Sequence, residues 1–317
     1  MPAGAGKRFA QRGMHLALVV HNAVKKFGQK TAVDDLSFTV SGPGVFGLLG
    51  TNGAGKTTTI RMILGILAMD GGGIEWDGAP VSRERGSFGY LPEERGLYPK
   101  VTVADQLRYF AALRGVGRGE AAKAIAYWAG RLGVEQYLHM QAEQLSKGNQ
   151  QKVQLISAIL HRPRLIILDE PFSGLDPLNT ELFKGVIREL EGAGCSIVLS
   201  SHQMQAVEEY CAEILLLVGG RTVLQGNLAE IKRGYGRNTL LIGGPPETLE
   251  PASELARAQG LAEKGRTAGT LEVRISGEAQ AYALLRALLE RGISFERFEL
   301  REPSLHEIFL EKAGGAQ

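Results

Sequence analysis

The sequence predicts an α/β fold with a small α+β appendage, on three observations. Short apolar runs alternate with segments of helical period, the pattern of a mostly parallel sheet with helices on its faces. The 42 glycines gather at the junctions between those runs rather than in a low-complexity tract, so they mark ordered tight turns. After Arg237 the alternation changes register, and 317 residues suffice for about two domains.

In chain order, Leu16 to Val20, Leu36 to Val40 and Val45 to Leu49 read as strands, being apolar or alternating runs of strand length. Lys56 to Leu67 follows with helical period, then a short strand at Gly73 to Trp76. From about Thr102 to Gln144 there are helices without a convincing strand: Val103 to Leu113, with Thr102 as N-cap, and Glu120 to Leu132. That stretch is expected to be a helical insertion between sheet elements. The alternation then resumes with helix Ser146 to Leu160, strand Leu165 to Leu168, helix Leu178 to Leu190, strand Ser196 to Ser200, helix Gln203 to Cys211 and strand Ile214 to Val218.

Past Arg237, Thr239 to Ile242, Thr270 to Ile275 and Ser294 to Leu300 are strand-like, Gly243 to Pro246 is a turn, and Ala279 to Glu290 is amphipathic. Ser304 and Glu307 have capping-box spacing ahead of a final short helix. The expected organisation is a disordered leader over 1–13, a main domain over 14–236 with a helical subdomain at about 95–160, and an accessory α+β domain over 237–317. The boundary is expected near Gly234 to Asn238, and no repeat of solenoid period is present.

Composition narrows the classes. At 44% hydrophobic, 22% charged and 7% aromatic the chain is not intrinsically disordered. No stretch approaches the roughly 18 apolar residues that a membrane helix needs. The net charge is +2, made of +5 through Arg237 and −3 beyond it, and neither part looks like a nucleic-acid grip. Lys7, Arg8 and Arg12 fall in a Gly/Ala-rich leader ahead of Met14 with no apolar core of signal-peptide length, either a disordered tail or a start codon placed too early. Cys195 and Cys211 show no C-x-x-C or Cys/His pattern, so inert buried thiols in a reducing compartment are expected.

The chemistry begins at Gly50. The segment GTNGAGKT, with Gly50, Asn52, Gly53, Ala54, Gly55, Lys56 and Thr57, satisfies G-x-x-x-x-G-K-S/T directly after the apolar run Val45 to Leu49 and before a helix-period segment opened by Lys56, Thr57 and Thr58. Glycines there let the backbone wrap without Cβ clashes, so successive N–H groups and a helix N-terminus converge on an anionic phosphate. Lys56 adds a point charge at the β and γ phosphates, and Thr57 offers a hydroxyl to Mg²⁺. The second half of such a site is an apolar strand ending in a carboxylate, and Leu165 to Leu168 followed by Asp169 and Glu170 fits. Asp169 is the expected Mg²⁺ ligand and Glu170 the expected general base toward the attacking water.

Three further segments carry a resemblance. LSKGNQQKV at Leu145 to Val153, SGLD at Ser173 to Asp176, and His202 after an apolar strand resemble the signature motif, D-loop and switch histidine of ATP-binding cassette (ABC) ATPases. With the phosphate loop and the Asp169 strand they make five motifs in family order, over about Leu16 to Gly234. The resemblance implies a P-loop NTPase of ABC type with a helical subdomain, binding ATP and Mg²⁺ and hydrolysing ATP. It further implies that Ser146 and Gly148 receive the γ-phosphate of an ATP held by an opposite subunit, in a head-to-tail dimer. His202 would sense the γ-phosphate, and Asp176 would span the dimer interface or cap a helix. Phe27, in VKKFG, stands where the family has an aromatic that stacks on adenine, with a core role as the alternative.

Two departures from the family pattern stand out. The usual LSGGQ reads LSKGN, with Lys147 and Asn149 replacing glycine and glutamine while Ser146 and Gly148 are kept. In GYLPEERGLY the family's glutamine is Glu93, which either joins the site as a catalytic and Mg²⁺-binding carboxylate or remains a solvated loop charge; Glu94 takes the role if the register slips by one.

The function implied is the ATP-hydrolysing subunit of an ABC transporter, working with a separate multi-spanning permease and a second ABC subunit, most simply a second copy, on the inner face of the cell membrane. The single cassette, the GLYPKVTV stretch and the C-terminal PSLHEIFL look like ATPase subunits of ABC-2-type exporters, and the segment from about Arg95 to Leu113 would grip permease helices. A soluble ABC ATPase acting on ribosomes or nucleic acid is the alternative, but such proteins usually carry two cassettes or a long coiled-coil insertion. A nonhydrolytic sensor is disfavoured because Glu170 and His202 are both present.

Overall fold

A computed structural model of the chain describes residues 17–81, 88–94 and 96–314. The expected leader, Leu16 and Arg95 lie outside the described residues. The chain divides into two compact units that meet between Gln225 and Gly226, upstream of the composition change at Gly234 to Asn238.

The first unit opens with β1 (Ala17–Phe27) and β2 (Lys30–Ser41), followed by β3 (Gly44–Gly50), α1 (Lys56–Ile63), β4 (Gly71–Trp76), β5 (Ala79–Pro80) and β6 (Phe88–Leu91). Three helices come next, α2 (Val103–Leu113), α3 (Arg118–Leu132) and α4 (Lys147–Ile159). The unit continues with β7 (Leu165–Asp169), α5 (Pro177–Gly192), β8 (Ser196–Ser201), α6 (Met204–Tyr210), β9 (Glu213–Val218) and β10 (Arg221–Asn227), whose last residues reach into the second unit.

The strands do not form one sheet, which corrects the expectation. β9, β3, β8, β7 and β6 are the parallel body of a six-stranded sheet of order β10-β9-β3-β8-β7-β6. β1, β2, β4 and β5 make a separate antiparallel sheet of order β2-β1-β4-β5. The reason is connectivity: β1 and β2 are joined through a tight turn at Gly28 and Gln29, whereas a parallel pair needs a crossover of a dozen or more residues. Val33, Leu36, Phe38 and Val40 of β2 join Leu18 and Val20 of β1 in a core shared with Phe46 and Leu48 of β3.

Within the parallel sheet, β7 and β8 are buried along their whole length, as their apolar runs require of strands covered on both faces. α1 is shorter than the Lys56 to Leu67 period suggested, because Gly65 adopts φ 64° just beyond the C-cap Leu64 and stops the helix. α2 is capped as expected: Thr102 Oγ1 accepts from Asp105 N at 3.2 Å. Asp176 caps α5 through Oδ1, which accepts from Asn179 N at 2.8 Å, with Pro177 in the first helical position. Cys195 and Cys211 are buried thiols, each pushed up to about 12 by desolvation.

The second unit contains α7 (Leu228–Tyr235), β11 (Thr239–Gly243), α8 (Pro246–Ala258), β12 (Glu263–Arg266), β13 (Thr270–Arg274), α9 (Glu278–Glu290), β14 (Arg297–Arg301) and α10 (Leu305–Gly314). From β11 onward the order β-α-β-β-α-β, with sheet order β12-β13-β11-β14, is the ferredoxin-like split βαβ arrangement. Its core is formed by Leu240, Ile242, Leu271 and Val273 of the sheet with Leu249, Ala252, Leu284 and Leu288 of α8 and α9. The expected turn at Gly243 to Pro246 is the link from β11 into α8, a helix the sequence reading did not contain. Pro251, the sixth of its thirteen residues, reads as a breaker and supplies no backbone N–H to the helix.

Candidate nucleotide site

Four neighbouring strands deliver their C-terminal ends to one edge of the parallel sheet. In sheet order, β3 runs into the phosphate loop, β8 ends before His202, β7 ends at Asp169, and β6 ends two residues before Glu93. Groups far apart in sequence are therefore adjacent in space, at the edge where parallel sheets present ligands.

The loop from Gly50 to Gly55 needs its glycines. Gly50 and Gly55 have φ 154° and 109°, and a Cβ on them would stand 2.6 Å from the Leu217 carbonyl oxygen and 2.7 Å from the Ala32 carbonyl oxygen. Ala54 is buried, whereas Thr51, Asn52 and Gly53 are exposed. Lys56, only 6% exposed, folds back so that Nζ donates to Gly50 O at 2.8 Å and Thr51 O at 3.4 Å. The same Nζ faces Glu170 Oε1 at 3.3 Å as an ion pair.

Glu170 is buried and adopts φ 50°, a left-handed conformation that a glutamate rarely takes. Its N–H donates to Ser200 O and Ser200 Oγ, both at 3.1 Å, which holds the strained turn. Its Oε2 lies 2.9 Å from His202 Nδ1. Glu170 thus stands between the lysine of one strand end and the histidine of another. Ser200 Oγ in turn donates to Asp169 Oδ1. Burial raises the Asp169 pKa above the ordinary carboxylate value, the Ser200 and Thr57 hydroxyls pull it down, and Glu170 pushes it up further. Asp169 Oδ2 is buried and has no hydrogen-bond partner among the described residues.

A cavity of about 410 Å³ opens over Lys56, Thr57 and Glu170, with Gly50, Ala54, Asp169 and His202 outside its lining. Its lining includes Phe27, Asn52, Gly53, Gly55, Lys56, Thr57, Thr58, Glu93 and Glu170 among the expected residues. Lys30, Ala32 and Thr51 also line it and were not anticipated. Phe27 is 52% exposed, so it is not a core residue. Glu93 is exposed and faces the cavity, while no lining role falls to Glu94.

Ser146, Gly148 and Asp176 do not line this cavity. They gather at a second place: Ser146 caps α4, its Oγ accepting from Asn149 N at 3.4 Å, and a Cβ on Gly148 would lie 3.3 Å from Nδ2 of Asn179, the residue that Asp176 caps. Two glutamines of α4 tie it to the site loops, Gln151 Nε2 donating to Pro171 O at 2.8 Å and Gln154 Nε2 to Glu94 O at 3.1 Å. Ser200, bonded to both Asp169 and Glu170, is not among the expected site residues; the only signal for it in the sequence is a pair of serines at the end of an apolar strand.

The donor set fits a hard divalent cation, since the unpaired Asp169 oxygen and the adjacent Thr57 hydroxyl are oxygen ligands of the kind Mg²⁺ selects. A glycine-walled anion cradle, a buried lysine and two strand-end carboxylates define a P-loop nucleotide-hydrolysing protein. The family follows from comparison. Residues 33–173 match the ABC transporter family model, and residues 226–313 match the model described as ATP-binding protein DrrA1-3-like, C-terminal domain. The chain is 46% identical over 298 residues to the ABC transporter ATP-binding protein YhaQ of Bacillus subtilis (strain 168), covering 94% of this chain and 98% of that one. It is 31% identical to Nod factor export ATP-binding protein I of Rhizobium etli (strain ATCC 51251 / DSM 11541 / JCM 21823 / NBRC 15573 / CFN 42), covering 99% and 98%. A solved ATP-binding subunit of an ABC transporter superimposes with a TM-score of 0.65 at 32% identity, over 69% of this chain and 93% of that one. The chain belongs to the ABC transporter ATP-binding proteins: it binds ATP and is an ATPase.

Proposed function

We propose that this chain is the motor subunit of an ABC-2-type exporter, driving a separate multi-spanning permease through ATP-dependent dimerisation on the inner face of the cell membrane. Support for export comes from the likeness over nearly the whole chain to a Nod factor export ATP-binding protein. Among the described residues no helix is long and apolar enough to cross a membrane. An exposed aromatic cluster favours docking at the start of the helical segment: the Tyr98 ring lies 6.0 Å from Phe110 and 6.3 Å from Tyr109, with Tyr98 and Tyr109 half exposed. This lies within the stretch from about Arg95 to Leu113 expected to meet permease helices.

The observation that carries the dimer is the separation of the motifs. Lys56, Thr57 and Glu170 line one cavity, whereas Ser146, Gly148 and Asp176 of the same chain stay outside it. A helix N-terminus with a serine hydroxyl and a glycine is suited to a γ-phosphate, so a second copy would offer Ser146 and Gly148 to an ATP held here, with Asp176 at the junction.

In this scheme Phe27 stacks on adenine, and Gly50 to Gly55, with Asn52, Gly53 and Ala54, wrap the phosphates by backbone N–H groups. Lys56 exchanges its Glu170 partner for the β and γ phosphates, and Thr58 lines the same wall. Asp169 and Thr57 would hold Mg²⁺, with Glu93 as a further carboxylate. When bound, Mg²⁺ neutralises charge on the phosphate oxygens. Glu170, released from Lys56, orients the attacking water and accepts its proton, and His202 contacts the γ-phosphate while keeping Glu170 in place.

Affinity purification of the tagged chain from native membranes in mild detergent, followed by mass spectrometry, tests the assignment. Stoichiometric recovery of a multi-spanning protein is the expected result. Recovery with ribosomes or nucleic acid and no permease overturns it.

A further inference from the structure

Phe27 ends β1 with half its surface exposed, so packing alone does not set the angle of its ring. What stands beside it is charged. Lys25 Nζ lies 5.5 Å from the ring centroid, although Lys25 itself is 9% exposed, an unusual burial for an ammonium. Its charge is met by Asp70, whose Oδ1 is 3.1 Å away. The other carboxylate oxygen of Asp70 accepts from the backbone N–H of Lys26 at 2.6 Å, and the Asp70 N–H donates to Val24 O at 2.9 Å.

Asp70 directly precedes β4, where Gly71 pairs with Val24 of β1, so one aspartate grips three consecutive residues ahead of Phe27. The Lys26 N–H and then the Lys25 ammonium hold the Asp70 carboxyl below its ordinary pKa.

We propose that Asp70 and Lys25 are a positioning pair for Phe27, fixing the ring that stacks on the base of the bound nucleotide. The inference rests on the stacking role proposed for Phe27. Asp70 does not line the nucleotide cavity, and neither does Lys25; both act through the aromatic ring. Asp70 sets the β1 backbone and the ammonium, the ammonium sits against the ring by cation–π attraction, and the ring is held toward the cavity before nucleotide arrives.

The test measures ATP affinity by calorimetry, KM and kcat for hydrolysis, and thermal stability, on the full chain carrying Asp70→Ala, Asp70→Asn, Phe27→Ala, or Asp70→Ala with Phe27→Ala. Asp70→Ala is expected to raise Kd and KM for ATP by about threefold or more with kcat close to the parent's. Asp70→Asn retains an acceptor for the Lys26 N–H and is expected to lose less. In the Phe27→Ala background the Asp70 substitution is expected to add no further loss of affinity. An equal loss in both backgrounds, or lower stability with unchanged affinity, overturns the positioning role. Unchanged affinity in Phe27→Ala alone overturns the stacking role itself, and this inference with it.

Discussion

Glu170 Oε2 lies 2.9 Å from His202 Nδ1, while the other oxygen of the same carboxylate faces Lys56 Nζ at 3.3 Å. The expected base is thus held between the expected phosphate lysine and the expected phosphate sensor, each of the three lying just past the end of one of three neighbouring strands, β3, β7 and β8, of one sheet. With Lys56 also bonded to Gly50 O, each of the three groups has an internal partner that an incoming phosphate must displace or share. A buried carboxylate in a left-handed turn is costly to maintain, and such strain is commonly kept where geometry serves chemistry.

Replacing Glu170 by Gln keeps the shape and the backbone bonds to Ser200 but removes the basic oxygen. Hydrolysis is expected to fall roughly 10²- to 10⁴-fold, the usual worth of a general base, while ATP binding persists. Turnover and nucleotide binding measured on the same preparation check this. Near-normal turnover would take Glu170 out of that role.

Lys56→Ala removes the charge in the cradle and leaves Glu170 with the imidazole as its remaining side-chain partner. Calorimetry is expected to detect no tight ATP binding. Urea unfolding is expected to show a loss of about 1 to 3 kcal/mol, the range for a buried polar group deprived of a partner. Parent-like ATP affinity would contradict the phosphate-loop assignment.

The phosphate loop was legible because its backbone tolerates only glycine where a Cβ would strike Leu217 O or Ala32 O, so the geometry is written in residue type and spacing. Asp169 and Glu170 were legible for a related reason, an apolar strand of four residues ending abruptly in charge. What escaped reading was non-local. Nothing in LSS before His202 says that the Ser200 hydroxyl of β8 bonds both Asp169 and Glu170 at the end of β7, because only strand pairing brings them together. The antiparallel sheet of β1, β2 and β4 was missed because apolar runs alone do not reveal strand direction, although the short turn at Gly28 forbids a parallel crossover. α8 was hidden by Pro251, whose local preference is outvoted by burial of Leu249, Ala252 and Leu255 in the second core.

Ser200→Ala deletes the hydroxyl that donates to Asp169 and accepts from Glu170 N. Asp169 then has both oxygens short of protein donors except Thr57, and the left-handed turn at Glu170 keeps only its bond to Ser200 O. Stability is expected to fall by about 1 to 3 kcal/mol in urea, with a loss of ATPase activity beyond what the remaining folded fraction explains. Activity per folded molecule equal to the parent's would reduce Ser200 to a packing role.

In the second unit, Glu307 of α10 is a charge hub. Its carboxylate pairs with Lys264 of β12 and lies 3.3 Å from Arg301 Nη2 of β14, and it accepts from the Ser304 N–H at 2.6 Å and the Ser304 hydroxyl at 2.9 Å. Partial burial opposes the charged form, but the Lys264 ammonium, the Ser304 donors and the Arg301 guanidinium outweigh it and bring the pKa from 4.5 down to about 2. A carboxylate whose folded pKa is depressed binds fewer protons folded than unfolded, so its contribution is present in full above pH 4.5 and is lost as pH falls toward about 2. Acid unfolding of the parent, followed by a probe in the second unit, is therefore expected to be steeper across that window than in Glu307→Gln, whose amide cannot titrate. The variant is also expected to be less stable at neutral pH, where the parent's carboxylate is charged and paired. Superimposable acid profiles would mean that the hub contributes nothing to holding α10 in place.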